Sequence, residues 1–295
     1  MSIQKKLMGT GVAIVTPFTK SGSVDYTGLS KLVNHLIKGK VEYLVVLGTT
    51  GETATLSKDE KKEVIKHVIK ETKKRVPLVL GVGGNNTQEV IDTLKYTDLS
   101  AFSAILSVSP YYNKPSQQGI YEHYKAIAKS TKMPIILYNV PGRTSSNILA
   151  DTTLKLAHDF KNIIAIKEAS GNIEQCMAII KNKPKDFLVI SGDDNLTLPL
   201  LACGADGVIS VLANAYPKDF SDMVRAGLKG DFNAAKKLHY KTFEITNQLF
   251  ADGNPGGVKY ALELMNICDS TLRLPLVKPN KTVQQKLKKL VSAYK

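Results

Sequence analysis

Asn162-Ile163-Ile164-Ala165-Ile166-Lys167-Glu168 is the stretch on which the fold turns. Its apolar run is too short for a helix and is flanked by polar residues, so it reads as a fully buried parallel strand that ends in a lysine. Seven further aliphatic or β-branched runs, at 12–15, 43–47, 78–80, 104–106, 135–137, 187–190 and 207–209, make eight in all. A polar turn and then a segment of helical periodicity follow each. Ser57-Lys58-Asp59-Glu60 is a capping box, after which Val64, Ile65, Val68 and Ile69 form one apolar face; Asn86 with Glu89 repeats the same start signal. Eight strand–helix units in 295 residues predict a closed (β/α)₈ TIM barrel over 1–225, with helices alone continuing as a C-terminal extension over 226–295. An open doubly wound sheet would need a phosphate fingerprint. Gly81-Val82-Gly83-Gly84-Asn85-Asn86 has the wrong glycine spacing and reads as a tight turn.

With 43% hydrophobic residues the chain can bury a sizeable core. The formal charge of +14 invites a nucleic-acid reading, but the excess is lysine spread along solvated helix faces, and only Arg75, Arg143, Arg225 and Arg273 are arginines. Bidentate phosphate recognition favours arginine, so a nucleic-acid partner is disfavoured. Cys176, Cys203 and Cys268 are far apart and the five histidines show no metal-ligand spacing, so a reduced, cytoplasmic protein without a metal is expected. No cleavable leader and no apolar run of membrane-spanning length is recognised.

In such a barrel the active site lies at the C-terminal ends of the strands. Lys167 then stands at the open end, where apolar walls disfavour its charged form and a neutral amine is a nucleophile. Taken alone, it more readily marks the point where the strand leaves the core, since lysines are mostly exposed. After the second run comes Gly48-Thr49-Thr50-Gly51-Glu52, a turn that can show N–H groups and hydroxyls to a carboxylate. After the fourth comes Ser109-Pro110-Tyr111-Tyr112-Asn113, and after the fifth Tyr138-Asn139-Val140-Pro141-Gly142-Arg143-Thr144. Together these positions fit one chemistry. The amine attacks a ketone, a tyrosine and a threonine move protons, the turn holds the keto acid's carboxylate, and Arg143 grips a carboxylate on a second substrate.

These blocks, with Ile166-Lys167-Glu168-Ala169 and Ser191-Gly192-Asp193-Asp194, resemble the signature blocks of the dihydrodipicolinate synthase family, and the likeness runs over essentially the whole chain. The resemblance implies a class I aldolase-type lyase that condenses pyruvate with L-aspartate 4-semialdehyde to 4-hydroxy-tetrahydrodipicolinate, in lysine and diaminopimelate biosynthesis, without a cofactor. It further implies Lys167 as the Schiff-base residue and Tyr138 as general acid and base. Thr49 and Tyr112 complete the proton relay, with Tyr112 crossing a dimer interface. Thr50, Gly192 and the backbone at Ile209 hold pyruvate, and Arg143 binds the semialdehyde. A homotetramer built as a dimer of dimers is the family's habit. An effector pocket would be lined by Thr53, Ala54, Lys58, Lys61, Asn85, Glu89 and Tyr111.

Two departures stand out. Lysine-inhibited members carry histidines where this chain has Lys58 and Lys61, and two cations repel an effector's ammonium groups, so feedback by lysine is expected to be weak or absent. At Gly256-Gly257 the family more often has isoleucine and proline, which predicts a looser start to the helix that follows. The rival reading is a sister pyruvate lyase acting on a sugar aldehyde, of the N-acetylneuraminate lyase or keto-deoxy-gluconate aldolase type. Arg143 argues against it, because such an acceptor has no matching carboxylate.

Overall fold

Eight parallel strands hydrogen-bond in sequence order, and the eighth returns to the first to close a barrel. In the computed structural model, which describes residues 2–294, they are β1 (Gly9–Ala13), β2 (Tyr43–Val46), β3 (Leu78–Gly81), β4 (Ala104–Val108), β5 (Ile135–Asn139), β6 (Ile163–Glu168), β7 (Leu188–Ser191) and β8 (Gly207–Ser210). Each is followed by its helix: α1 (Tyr26–Lys38), α2 (Lys58–Thr72), α3 (Thr87–Tyr96), α4 (Gln117–Ser130), α5 (Ala150–Asp159), α6 (Ile173–Asn182), α7 (Thr197–Ala202) and α8 (Pro217–Leu228). Three more helices, α9 (Phe232–Phe250), α10 (Gly256–Leu264) and α11 (Lys281–Ala293), pack on one another beyond the barrel. Ser57 and Glu60 form the reciprocal capping box of α2 as expected. The Asn86 side chain caps α3 by accepting from Gln88 N, and the return bond from Glu89 that would complete a second box is not made among the described residues.

Two apolar layers follow from the alternation of strand side chains. Tyr43, Val45, Val79, Leu106, Ile136, Tyr138, Leu188 and Ile190 fill the barrel interior, whereas Leu44, Val46, Leu80, Ile105, Leu137 and Val189 face the helices. β6 breaks the alternation. Its pairing with β5 runs from Ile135 opposite Ile163 to Ile136 opposite Ala165, so Ile164 is an extra residue. Ile164 and Ala165 both join the interior group, and Ile166 turns to the helices. A one-residue slip exchanges the two faces for everything beyond it. Lys167 therefore points inward and Glu168 outward.

The first strand starts three residues earlier than its apolar run predicts and ends two earlier, because Gly9-Thr10-Gly11 carries the pairing with β8 while Ile14 and Val15 belong to the following loop. Hydrophobicity marks burial, and here the buried loop is more apolar than the strand. The start of α10 is not loose. Gly257 is buried against α9, where a Cβ would lie 2.2 Å from the Leu249 carbonyl oxygen, so the position demands glycine's close approach. All three cysteines are free thiols. Among the described residues no helix is long and apolar enough to cross a membrane.

Candidate active site

Tyr138 and Lys167 are the penultimate residues of neighbouring strands and are direct register partners at the barrel's C-terminal end. The Lys167 Nζ stands 4.3 Å from the centre of the Tyr138 ring, and only 5% of the lysine is exposed. Gly192, just beyond β7, closes the other side: a Cβ there would lie 3.0 Å from the lysine Cε and 2.6 Å from the Ala169 Cβ. Glycine leaves the lysine room to extend across the mouth. Ile209 lies buried on β8 in the same interior layer.

On the outward face the next residues of the same two strands, Asn139 and Glu168, pair in register. The Glu168 carboxylate accepts from Asn139 Nδ2 at 3.0 and 3.1 Å, from Ser170 N at 2.9 Å and from Gln175 Nε2 at 2.8 Å. Burial pushes its carboxyl above the usual range, and these donors oppose the shift. Every oxygen is satisfied, so the network locks the strand ends that carry Tyr138 and Lys167.

The turn after β2 is one turn of 3₁₀ helix, Thr49–Gly51, closed by Glu52 in the left-handed conformation at φ 51°. Thr49 is exposed at the mouth, while Thr50 is buried and its Oγ1 accepts from Asn254 Nδ2 at 3.1 Å. That bond uses a lone pair and leaves the hydroxyl hydrogen free to donate. Arg143, on the short helix Pro141–Thr144, reaches back to the Asn254 carbonyl oxygen at 3.5 Å, a weak contact that leaves most of its fork open. Asn254 thus joins Thr50 to Arg143. After β7, Asp194 accepts from Val211 N at 3.1 Å and Leu212 N at 2.8 Å, tying the β7 loop to the β8 loop; burial raises its carboxyl to about 6.

Other expected positions stand apart from this cluster. Tyr112 is 89% exposed and sits at φ 72°, with Tyr111 also exposed beside it. Of the group assigned to an effector pocket, Thr53 donates to the Gly48 carbonyl, Ala54, Lys58 and Glu89 are exposed, and Lys61 is half-buried. Asn85 holds the tyrosine loop through a bond from Asn113 Nδ2 at 3.0 Å.

The model of the dihydrodipicolinate synthetase family matches residues 6–294. The chain belongs to the dihydrodipicolinate synthetase family. A family relative from Flavobacterium psychrophilum, named 4-hydroxy-tetrahydrodipicolinate synthase, is 56% identical over 280 residues, which cover 95% of this chain and 96% of the relative. The dihydrodipicolinate synthase of Aquifex aeolicus superposes with a TM-score of 0.94 at 39% identity, covering 98% of both chains. The chloride-inhibited dihydrodipicolinate synthase of Acinetobacter baumannii, solved with pyruvate, gives a TM-score of 0.94 at 42% identity over 97% of this chain and 98% of that one. In this dihydrodipicolinate synthetase family member, Asn254 is the mouth residue that sequence reading passed over. It lies well beyond the end of β8 at Ser210, and nothing in linear order says that the chain returns there to the mouth.

Proposed function

We propose that this chain condenses pyruvate with L-aspartate 4-semialdehyde to 4-hydroxy-tetrahydrodipicolinate, through a Schiff base on Lys167. The observation that carries this is the inward Lys167 amine 4.3 Å from the Tyr138 ring, at the end of the barrel where the 48–51 turn also opens. The lysine nitrogen adds to the ketone carbon and the carbonyl oxygen takes a proton. Loss of water leaves the imine, and loss of a methyl proton makes the enamine carbon that adds to the semialdehyde's aldehyde. The semialdehyde's own amino group then displaces the lysine from the imine carbon and closes the ring. Tyr138 lies against the reacting nitrogen and suits the proton transfers, with Thr49 at the mouth and a partner subunit's Tyr112 as relay. Thr50, Gly192 and the Ile209 backbone hold the keto acid, and Arg143 takes the second carboxylate.

A dimer of dimers in the cytoplasm, in lysine and diaminopimelate biosynthesis, completes the reading. Tyr112 supports the dimer, since a bulky residue held at the uncommon φ of 72° leaves 89% of its surface open to a partner. The test is pyruvate consumption by the purified protein with aspartate semialdehyde, N-acetylmannosamine or glyceraldehyde as acceptor. Strong preference for the semialdehyde is expected; preference for a sugar aldehyde would overturn the assignment of the acceptor.

A further inference from the structure

Glu52 and Lys259 form an ion pair with no exposed side-chain surface on either partner, the Lys259 Nζ lying 2.5 Å from Glu52 Oε1. Around it the satisfaction is complete. The lysine also donates to the Thr271 carbonyl at 2.8 Å and stands 4.1 Å over the Phe18 ring, and Glu52 Oε2 accepts from Arg273 N at 3.1 Å. Burial pulls the lysine's proton affinity down and Glu52 pulls it back up. Taking two charges out of water costs several kcal/mol per ion, and a well-packed apolar pair is commonly as stable or more so. Stability alone is thus a poor reason for this pair.

Its position supplies a better one. Glu52 directly follows the Thr49–Gly51 turn, two residues after Thr50, and its backbone is held in the left-handed region that a side chain rarely adopts. Lys259 is on α10, the helix entered just after Asn254, whose side chain bonds Thr50 and whose carbonyl takes Arg143. One stretch of the C-terminal extension therefore meets the turn at two points, Glu52 through the ion pair and Thr50 through Asn254.

We infer that Glu52 and Lys259 are positioning residues: by anchoring the 48–51 turn to α10, they let the C-terminal extension set how well the turn holds the keto acid's carboxylate. This rests on the reading of that turn as the carboxylate's cradle. The direction of pull is fixed, because a buried carboxylate without its cation swings toward water and carries the turn with it.

The test uses Lys259→Met, Glu52→Gln, the double variant and, as reference, Thr50→Ala, each assayed for kcat and for KM toward pyruvate well below its own Tm. Lys259→Met is expected to raise the pyruvate KM about tenfold, more than it lowers kcat, and the double variant to return it to within about threefold of the parent because no lone charge remains buried. Should Lys259→Met fail to fold, Glu52→Gln carries the test, with a rise of about threefold or more at an unchanged circular dichroism spectrum. Variants that melt earlier yet keep the parent's pyruvate KM would overturn the positioning role while leaving the cradle intact, provided Thr50→Ala raises that KM. A Thr50→Ala enzyme with an unchanged pyruvate KM would remove the cradle, and this inference with it.

Discussion

Among the described residues the Arg143 guanidinium makes one bond, the 3.5 Å contact to the Asn254 carbonyl. A planar fork left open beside the mouth suits a carboxylate that arrives with the second substrate. Replacement of Arg143 by alanine is expected to weaken use of the semialdehyde by ~2 kcal/mol in kcat/KM, on the scale of a charge-assisted contact, with pyruvate binding barely changed. Steady-state kinetics with each substrate varied in turn checks this; equal losses for both would make the arginine structural. At this scale much was legible. A lysine ending an apolar run, a glycine-flanked hydroxyl turn and a rare arginine each announce chemistry by type. Asn254 did not, since asparagine before proline is also ordinary turn composition.

Elements explain what residue types cannot. The alternation that predicts which strand residues face inward would, without the extra residue Ile164, have turned Lys167 toward the helices and Glu168 into the barrel. No feature of an unbroken run of isoleucine and alanine marks where one residue is looped out. The displaced first strand has a related cause, with glycine and threonine carrying the pairing while the more apolar residues pack in the loop. The segment joining α10 to α11 is tied to α2 by Arg273, which donates to Gly22 and Thr55 carbonyls and to both oxygens of Glu60. The Arg273 bond, with the Ser57 cap assisting against partial burial, holds the Glu60 carboxyl down at about 2. A carboxyl lowered in the folded state stabilises fully above its unfolded value near 4.5 and loses that contribution as pH falls toward 2. Melting temperatures measured across this window should fall less steeply for Glu60→Gln than for the parent. Parallel curves would show that the link is too solvated to matter.

The whole molecule carries a net charge of +14, the excess mostly lysine, and two of its lysines bear on a regulatory question. Lys58 opens α2 in solvent and Lys61 lies half-buried one turn on, its proton affinity lowered first by burial and then by Lys58. A site already crowded with cations is a poor receptor for a diaminated effector. Initial rates with both substrates near KM should be unchanged by submillimolar lysine; a clear inhibition curve in that range would contradict the reading. The barrel itself was legible because eight runs at regular spacing leave few alternatives. The return of the C-terminal extension to the mouth was not, because long-range packing leaves no periodic trace in the sequence.

The covalent role of Lys167 is open to direct chemical trapping. Protein incubated with pyruvate is reduced with sodium borohydride, digested and mapped by mass spectrometry. A carboxyethyl adduct is expected on the Lys167 side chain, absent when either pyruvate or borohydride is omitted. An unlabelled Lys167, or an adduct confined to other lysines, would contradict the Schiff base and the mechanism built on it.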